Sequence, residues 1–365
     1  MHDKRAVARF PACAQRLVAL RLVAFLPVAL LLVAVGASAG EVGPPPVARL
    51  SAAVGPAFAL GKAGERWAKL VAERSGGRLP VRFFPGASLA HGDPAREFIA
   101  LRDGAADLAV GSTLFWSAQV VELNVVSLPW LVPDASALAA IAEGPVAERL
   151  MAAMERAGVV PLALAVLGHR AISLVGAAPR SPADFAGMKV RVAATPLVID
   201  LFTSLGALPQ AMAVADAHAA FRAGTLDAQE GTLSTLVAAR LETFGAKHVL
   251  LWDAVAECAV FAANKAAWNG WTDDTRSIVR EAALQAAREL PALAQAENDV
   301  AQAELGQRGV TVTRLTATGR AAFAAATRGV YDKWAAVIGA DLVSATEAAV
   351  RSRNPSEPER PTGGH

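Results

Sequence analysis

The chain has 365 residues, of which 54% are hydrophobic, 19% are charged and 6% are aromatic. This composition predicts a folded protein with a sizeable core and excludes a disordered chain. Few single cores grow to this length, so we expect two lobes or two domains.

The positive charge is concentrated at the amino terminus. The formal net charge is +2, from 35 Lys and Arg against 33 Asp and Glu, and residues 1–39 hold five of these cations and one of these acids. The remaining chain thus carries 30 cations and 32 acids, a balance of −2. No basic run that could follow a phosphate backbone is left, which argues against a nucleic-acid partner.

Residues 1–39 have the pattern of a signal peptide. A basic segment precedes the apolar run 22–35, and the small residues Gly36-Ala37-Ser38-Ala39 follow it. We predict cleavage after Ala39 and a periplasmic protein. The alternative is a retained single-span anchor, but a 14-residue run is short for a bilayer of about 30 Å.

The first elements after this leader alternate between strand and helix. We predict strands at 49–54, 79–84 and 107–112 and helices at 57–75 and 93–104. A β-α-β-α-β order indicates a mostly parallel sheet with right-handed crossovers.

The later elements form a second unit of the same type and a helical end. After the loop 127–134 we predict a helix at 135–157 and strands at 159–167, 188–192, 210–213 and 310–312, and residues 226–229 lead into a further strand or a loop. We predict the later helices at 196–205, 215–223, 272–308, 317–338 and 341–351. Pro291 should kink or break the long helix 272–308. The Pro- and Glu-rich tail from Asn354 predicts disorder.

Cysteine and histidine usage offers no metal site and no disulfide. Cys13 lies in the leader, which leaves Cys258 without a partner in the mature chain. Cys258 lies in an apolar run, so we expect a buried, inert thiol rather than a reactive one. No metal and no cofactor is expected.

Arg191 is the binding residue that strand geometry points to. Because side chains alternate along a strand, Val190 and Val192 should face the core and Arg191 the other side. Thr195 and Pro196 follow as an N-cap and a first helical residue. Arg191 would then end a parallel strand beside a helix N-terminus, where open α/β sheets bind ligands and where a carboxylate is favoured. From spacing alone, an exposed arginine at a strand edge stays the alternative.

The stretch from Gly168 to Glu230 resembles the substrate-binding subunit of tripartite ATP-independent periplasmic (TRAP) transporters, the DctP-type family. That family has an arginine, an Asp-x-x-Gly-x-Lys-x-Arg-Val strand, a Gly-Ala-x-Pro turn and Asp-Gly-Gln-Glu. The matching positions here are Arg170 and the segments 184–192, 206–209 and 227–230. The resemblance continues in SGGRLPVRFFPGASLAHGD, DGAADLAVGS, LPWLVPD and AANKAAWNGWTDDTRSIV, and it spans nearly the whole mature chain.

This resemblance implies a fold and a function. The fold is α/β, a two-lobed periplasmic-binding-protein fold with a hinge and a long helix spanning both lobes. It places lobe I at 40–167 plus 253–292, lobe II at 168–252 plus 293–350, and a tail at 351–365. The function is capture of a small organic anion in the interlobe cleft and its delivery to the small and large permease subunits. The protein would be a monomer and not an enzyme.

The resemblance also implies roles for single residues. Arg191 corresponds to the arginine that pairs with the ligand carboxylate. Arg170 is a second candidate, with a structural role at a strand end as the alternative. Asp93 corresponds to a polar cleft position, although helix capping would also explain it. Phe115 and Trp116 correspond to the cleft lining, although an aromatic pair there could equally belong to the core.

Four departures from the family pattern bear on the ligand. Val214 replaces a common aromatic residue, Gly231 follows Glu230 where an asparagine is common, His218 replaces a common tyrosine, and Phe115 stands where sugar-acid binders have an arginine. We expect Glu230, Val214 and Gly231 at the site. The less polar surroundings predict a small monocarboxylate with an apolar or aromatic body rather than a sugar acid.

Two other functions stay open at this point. An exported sensor or scavenger could share the fold without a permease partner. A periplasmic enzyme acting on a carboxylate is the second alternative, although the sequence has no G-x-S-x-G, H-E-x-x-H or P-loop motif.

Overall fold

The computed structural model describes residues 47–212 and 214–353. The predicted signal peptide, its cleavage site and the tail from Asn354 lie outside these residues. The described strands join one mixed sheet. They are β1 (Ala48–Ala52), β2 (Val81–Phe84), β3 (Leu108–Ser112), β4 (Val159–Leu174), β5 (Lys189–Val192), β6 (Leu208–Ala211), β7 (Ala228–Thr232), β8 (His248–Leu251), β9 (Ala256–Asn264) and β10 (Thr311–Arg314).

The helices pack against this sheet, and most of them connect its strands along the chain. They are α1 (Ala59–Arg74), α2 (Glu97–Arg102), α3 (Thr113–Trp116), α4 (Ala135–Glu143), α5 (Pro145–Arg156), α6 (Pro196–Ser204), α7 (Val214–Arg222), α8 (Leu233–Ala238), α9 (Lys265–Gly270), α10 (Asp273–Gln307), α11 (Ala317–Ala326), α12 (Arg328–Ile338) and α13 (Ala340–Arg353). Over the described ranges, no helix combines the length and the apolar character needed to cross a membrane.

Two sets of parallel strands form the outer parts of the sheet. In the first parallel group, β1 pairs with both β2 and β3, as the β-α-β-α-β prediction requires. In the second parallel group, β5 pairs with both β6 and β7. Each group is the centre of an α/β half, and the two-lobed α/β fold expected from the sequence is confirmed.

Antiparallel strands join the two groups, so the prediction of a mostly parallel sheet is wrong for the centre of the sheet. Strand β9 pairs antiparallel with β3 and β4, and β4 pairs antiparallel with β7 and β8. The strand predicted at 159–167 in fact continues to Leu174. The polar run from Gly168 to Arg170 ends the apolar pattern, but a register shift between Val166 and Gly168 lets the pairing with β9 continue.

Three predicted helices differ from the observed ones. The stretch 135–157 divides into α4 and α5 at Gly144, whose extended backbone precedes Pro145 at the first position of α5. The stretch 317–338 divides into α11 and α12 at Thr327. A break at Pro291 is not observed, because α10 continues through this residue for 35 residues in total.

Helix α10 reaches both parts of the sheet, as the long spanning helix was expected to do. At about 1.5 Å per residue its 35 residues extend for roughly 50 Å. Near its start, the carbonyl of Val279 accepts a hydrogen bond from the indole of Trp67 on α1, at 3.0 Å. At its end, Arg308 donates to the carbonyl of Val237 on α8, at 2.9 Å.

Cys258 is buried on β9, as predicted. Burial, together with the charge of neighbouring Glu257, raises the pKa of the Cys258 thiol well above its usual value. The thiolate is therefore suppressed, which makes this cysteine chemically inert.

Candidate functional site

Arg191 lies at the end of β5 with the orientation that the sequence predicts. Val190 and Val192 are fully buried, whereas Arg191 is half-buried on the other face. Its Nε and Nη2 groups donate to the carbonyl oxygen of Met212, at 3.0 and 2.9 Å. A backbone carbonyl carries no formal charge, so these bonds orient the guanidinium without neutralising it.

The charge of Arg191 has no direct counter-ion among the described residues. Burial lowers the pKa of Arg191, the charge of Glu230 opposes that effect, and the charge of Arg170 adds to it. No carboxylate in the described chain comes close enough to pair with it. Binding of an anion beside a partly buried cation of this kind lowers the free energy of the site.

Arg170 has the opposite environment. It is 4% exposed on β4 and donates through Nε and Nη2 to Glu230, and through Nη1 to Oε1 of Glu257 at 2.8 Å. The hydroxyl of Ser112 donates to the other oxygen of Glu257. We call Arg170, Glu230, Glu257 and Ser112 the Arg170 cluster. Burial alone would lower the pKa of Arg170, but the two glutamates raise it overall.

The Arg170 cluster joins the two parallel groups. Ser112 ends β3 in the first group, and Glu230 lies on β7 in the second. Glu230 also accepts from the backbone N–H of Ala193, just after β5, at 3.3 Å. The cluster therefore fixes the carboxyl ends of strands from both groups relative to the crossing strands β4 and β9.

The aromatic candidates Phe115 and Trp116 lie on the short helix α3 but in different surroundings. The guanidinium of Arg170 lies over the Phe115 ring, at 5.9 Å from its centroid, and Phe115 is partly buried. Trp116 is fully buried, with an edge contact to Phe98 at 5.4 Å. Its indole lies directly against the backbone of Gly111, where a Cβ atom would come within 2.1 Å of it.

The remaining candidates, Asp93, Gly231 and Val214, lie on three different elements. Asp93 is exposed and caps the turn 94–96, its carboxylate accepting from the N–H of Ala95 at 2.9 Å. Gly231 follows Glu230 on β7, and a Cβ there would lie 3.0 Å from the hydroxyl of Thr235. Val214 begins α7, and its side chain lies outside the described part of the structure.

Sequence reasoning missed Glu257, whose carboxylate lies on the crossing strand β9. It also gave no binding role to two buried polar atoms, Oγ1 of Thr195 and Oε1 of Gln229. Neither atom has a hydrogen-bond partner among the described residues. Gln229 pairs with Arg191 in the β5–β7 register, which places both side chains on one face. Thr195 occupies the N-cap of α6, as predicted, but its hydroxyl makes no capping bond.

Among the residues that the structure describes, the site therefore combines a cation without an ion-pair partner, buried polar atoms without hydrogen bonds and a helix N-terminus. These are features of an anion-binding site at the carboxyl end of a parallel strand. Within the described ranges, no group of His, Cys, Asp and Glu has the arrangement of a metal site. The fold and this site together define the class of two-lobed extracellular binding proteins.

The sequence model of the bacterial extracellular solute-binding proteins of family 7, DctP, matches residues 50–337. The chain belongs to this family, which is a transport family. The resemblance to the solute-binding proteins of TRAP transporters is thereby confirmed.

Three similar proteins illustrate this membership. A TRAP periplasmic solute-binding protein from Ralstonia eutropha H16, solved with (S)-2-acetolactate bound, is 44% identical, with a TM-score of 0.80 over 84% of this chain and 99% of that one. The C4-dicarboxylate-binding periplasmic protein DctP of Rhodobacter capsulatus is 27% identical over 84% of this chain and 91% of its own length. An uncharacterized protein of Sinorhizobium fredii is 30% identical over 74% of this chain, which spans 49% of that longer protein.

Proposed function

We propose that this protein captures a small monocarboxylate in the periplasm and delivers it to the small and large subunits of a TRAP permease. In this proposal the leader is cut after Ala39, and the ligand lies between a lobe of residues 40–167 plus 253–292 and a lobe of residues 168–252 plus 293–350. The ligand is released unchanged.

One observation carries the proposal: Arg191 is a partly buried cation whose described hydrogen bonds go only to the carbonyl of Met212. An arginine held in this way can still direct N–H groups at a carboxylate. Closure of the lobes would exclude water and strengthen that contact. The full pairing of Arg170 supports Arg191, rather than Arg170, as the direct clamp.

The expected ligand is a compact 2-hydroxy or 2-oxo monocarboxylate with a small apolar body. The ligand of the Ralstonia protein, (S)-2-acetolactate, has this chemistry. Thr195 Oγ1 and Gln229 Oε1 are buried polar atoms that could bind a hydroxyl group next to the carboxylate. Phe115, which is partly exposed, offers apolar surface rather than a group for a polyhydroxylated sugar.

Calorimetry on the purified mature protein tests this function. We expect (S)-2-acetolactate to bind and glucuronate to bind much more weakly. Arg191→Ala should weaken acetolactate binding by at least tenfold, since truncating one partner of a buried charged pair costs about 2–5 kcal/mol. Arg74→Ala, which removes an exposed arginine on α1, is the matched control. Unchanged affinity in Arg191→Ala, or a preference for sialic or uronic acids, would refute the proposal.

A further inference from the structure

Glu257 is a buried carboxylate for which the proposed function gives no use. It is 1% exposed on β9, between Ala256 and Cys258. Arg170 is already held at two points by Glu230, which satisfies its charge. A second carboxylate on the same arginine adds a negative charge in a place where burying charge is costly.

The charges at the site are few enough to count. Arg170 and Arg191 are its cations, and Glu230 and Glu257 are its acids. With all four ionised, these described residues carry no net charge before a ligand binds, although Arg191 has no ion-pair partner among them. Without Glu257, the same site would carry one net positive charge before any ligand binds.

This balance makes the second carboxylate of a dianionic ligand unfavourable. A monocarboxylate is attracted locally by Arg191, although it brings the site to one net negative charge. A dicarboxylate brings it to two, and like charges in a partly buried site repel strongly. Glu257 lies at the junction of β3, β4 and β9, where its hydrogen bonds to Arg170 and Ser112 hold the carboxylate in place.

We propose that Glu257 is a specificity-determining residue that restricts the ligand to one carboxylate by adding a second negative charge beside Arg170. This inference rests on the proposed function, because it assumes that an organic anion binds beside Arg191. It adds the residue that selects the charge of that anion. Glu257 is a positioning residue in this role, since it acts through Arg170.

A matched pair of ligands separates charge from size. (S)-2-acetolactate has one carboxylate, and 2-hydroxy-2-methylmalonate replaces its acetyl group by a second carboxylate with the same number of non-hydrogen atoms. The test compares calorimetric affinities of both ligands for the wild type, Glu257→Gln and Glu257→Asp. Glutamine can still accept from Arg170 and bond to Ser112, whereas aspartate keeps the charge.

In Glu257→Gln, the affinity for the dicarboxylate should rise relative to the monocarboxylate by about tenfold or more, because the repulsion acts on two charges instead of one. In Glu257→Asp the ratio should stay within about threefold of the wild type. A purely structural role would weaken both ligands alike in both variants. An unchanged ratio in Glu257→Gln would therefore overturn the inference.

A second measurement separates this inference from the proposed function. Formate and oxalate are small enough to require only a cationic clamp, and their stabilisation of the protein is measured by thermal unfolding. If the wild type binds no acetolactate, the proposed ligand class fails. The inference about Glu257 would still stand if Glu257→Gln increased the stabilisation by oxalate more than the stabilisation by formate. It would fail if the substitution changed both stabilisations equally.

Discussion

The two parallel groups share an architecture but differ in the chemistry at their carboxyl ends. Both consist of three parallel strands, and each of these strands is followed along the chain by a helix. In the first group, Ser51 near the end of β1 donates to the buried carboxyl of Glu97 at 2.6 Å, with no cation in that contact. In the second group, Arg191 and Glu230 lie at the strand ends beside Arg170.

The two regions also differ in the partners of their buried acids. Burial raises the pKa of Glu97 to about 8, only partly offset by the hydrogen bond from Ser51, so this group is mostly neutral at pH 7. Glu230 and Glu257 instead both form ion pairs with the buried Arg170. We therefore expect the first group to present a neutral surface to the site, whereas the charges lie on the second group and on the crossing strands β4 and β9.

The largest expected effect tests whether Arg191 in the second group and Arg170 on the crossing strand β4 have separate binding and structural roles. Arg170→Met should lower the free energy of unfolding by about 3–5 kcal/mol, because it leaves two buried carboxylates without their cation. The matched variant Arg191→Met should change it by less than about 1 kcal/mol, since it breaks no ion pair. Urea unfolding without ligand measures both. Equal losses would show that Arg191 is as structural as Arg170.

Glu97 provides the corresponding test in the first group. Its folded-state pKa is raised from 4.5 to about 8, so the folded protein keeps a proton that the unfolded chain loses between these values. The stability it contributes is therefore complete below about pH 4.5 and falls as the pH rises towards about 8. By pH 7 the loss should reach about 3 kcal/mol.

Glu97→Gln should remove this part of the pH dependence, because the amide cannot ionise. Urea unfolding at several values between pH 5 and pH 8 measures the slope, with Glu143→Gln at the exposed end of α4 as the control. If Glu97→Gln and the wild type lose stability equally over this range, Glu97 is already ionised in the folded protein. The contrast between a neutral and a charged group would then be wrong.

The sequence predicts the local features of both groups but not the contacts between them. The β-α-β-α-β order and the orientation of Arg191 follow from patterns within a few residues. The pairing of Arg170 with Glu257 joins positions 87 residues apart. Strand β9 is buried at every position, so its apolar run shows no alternation that would distinguish the face of Glu257. The one feature of the sequence that points to a special role for Glu257 is that a glutamate lies inside this apolar run.

The smallest expected effect concerns Asp93, for which the sequence left a cleft role and a capping role open. Its carboxylate is exposed and accepts from the N–H of Ala95 at 2.9 Å, which is the geometry of a cap. Asp93→Ala should therefore cost about 1 kcal/mol of stability, and Asp93→Asn only a few tenths, since asparagine caps equally well. Acetolactate affinity should stay within about threefold of the wild type in Asp93→Asn.

A tenfold loss of affinity in Asp93→Asn at unchanged stability would require that the carboxylate itself contacts the ligand. An acid in the first group would then face the ligand together with Arg191, and the neutral surface assigned to this group would have to be abandoned. The ligand would also need a donor at its far end, because an acid there would repel a second carboxylate and favour a hydroxyl or an ammonium group. Retained affinity would instead leave the charge selection to Arg191 and the Arg170 cluster alone.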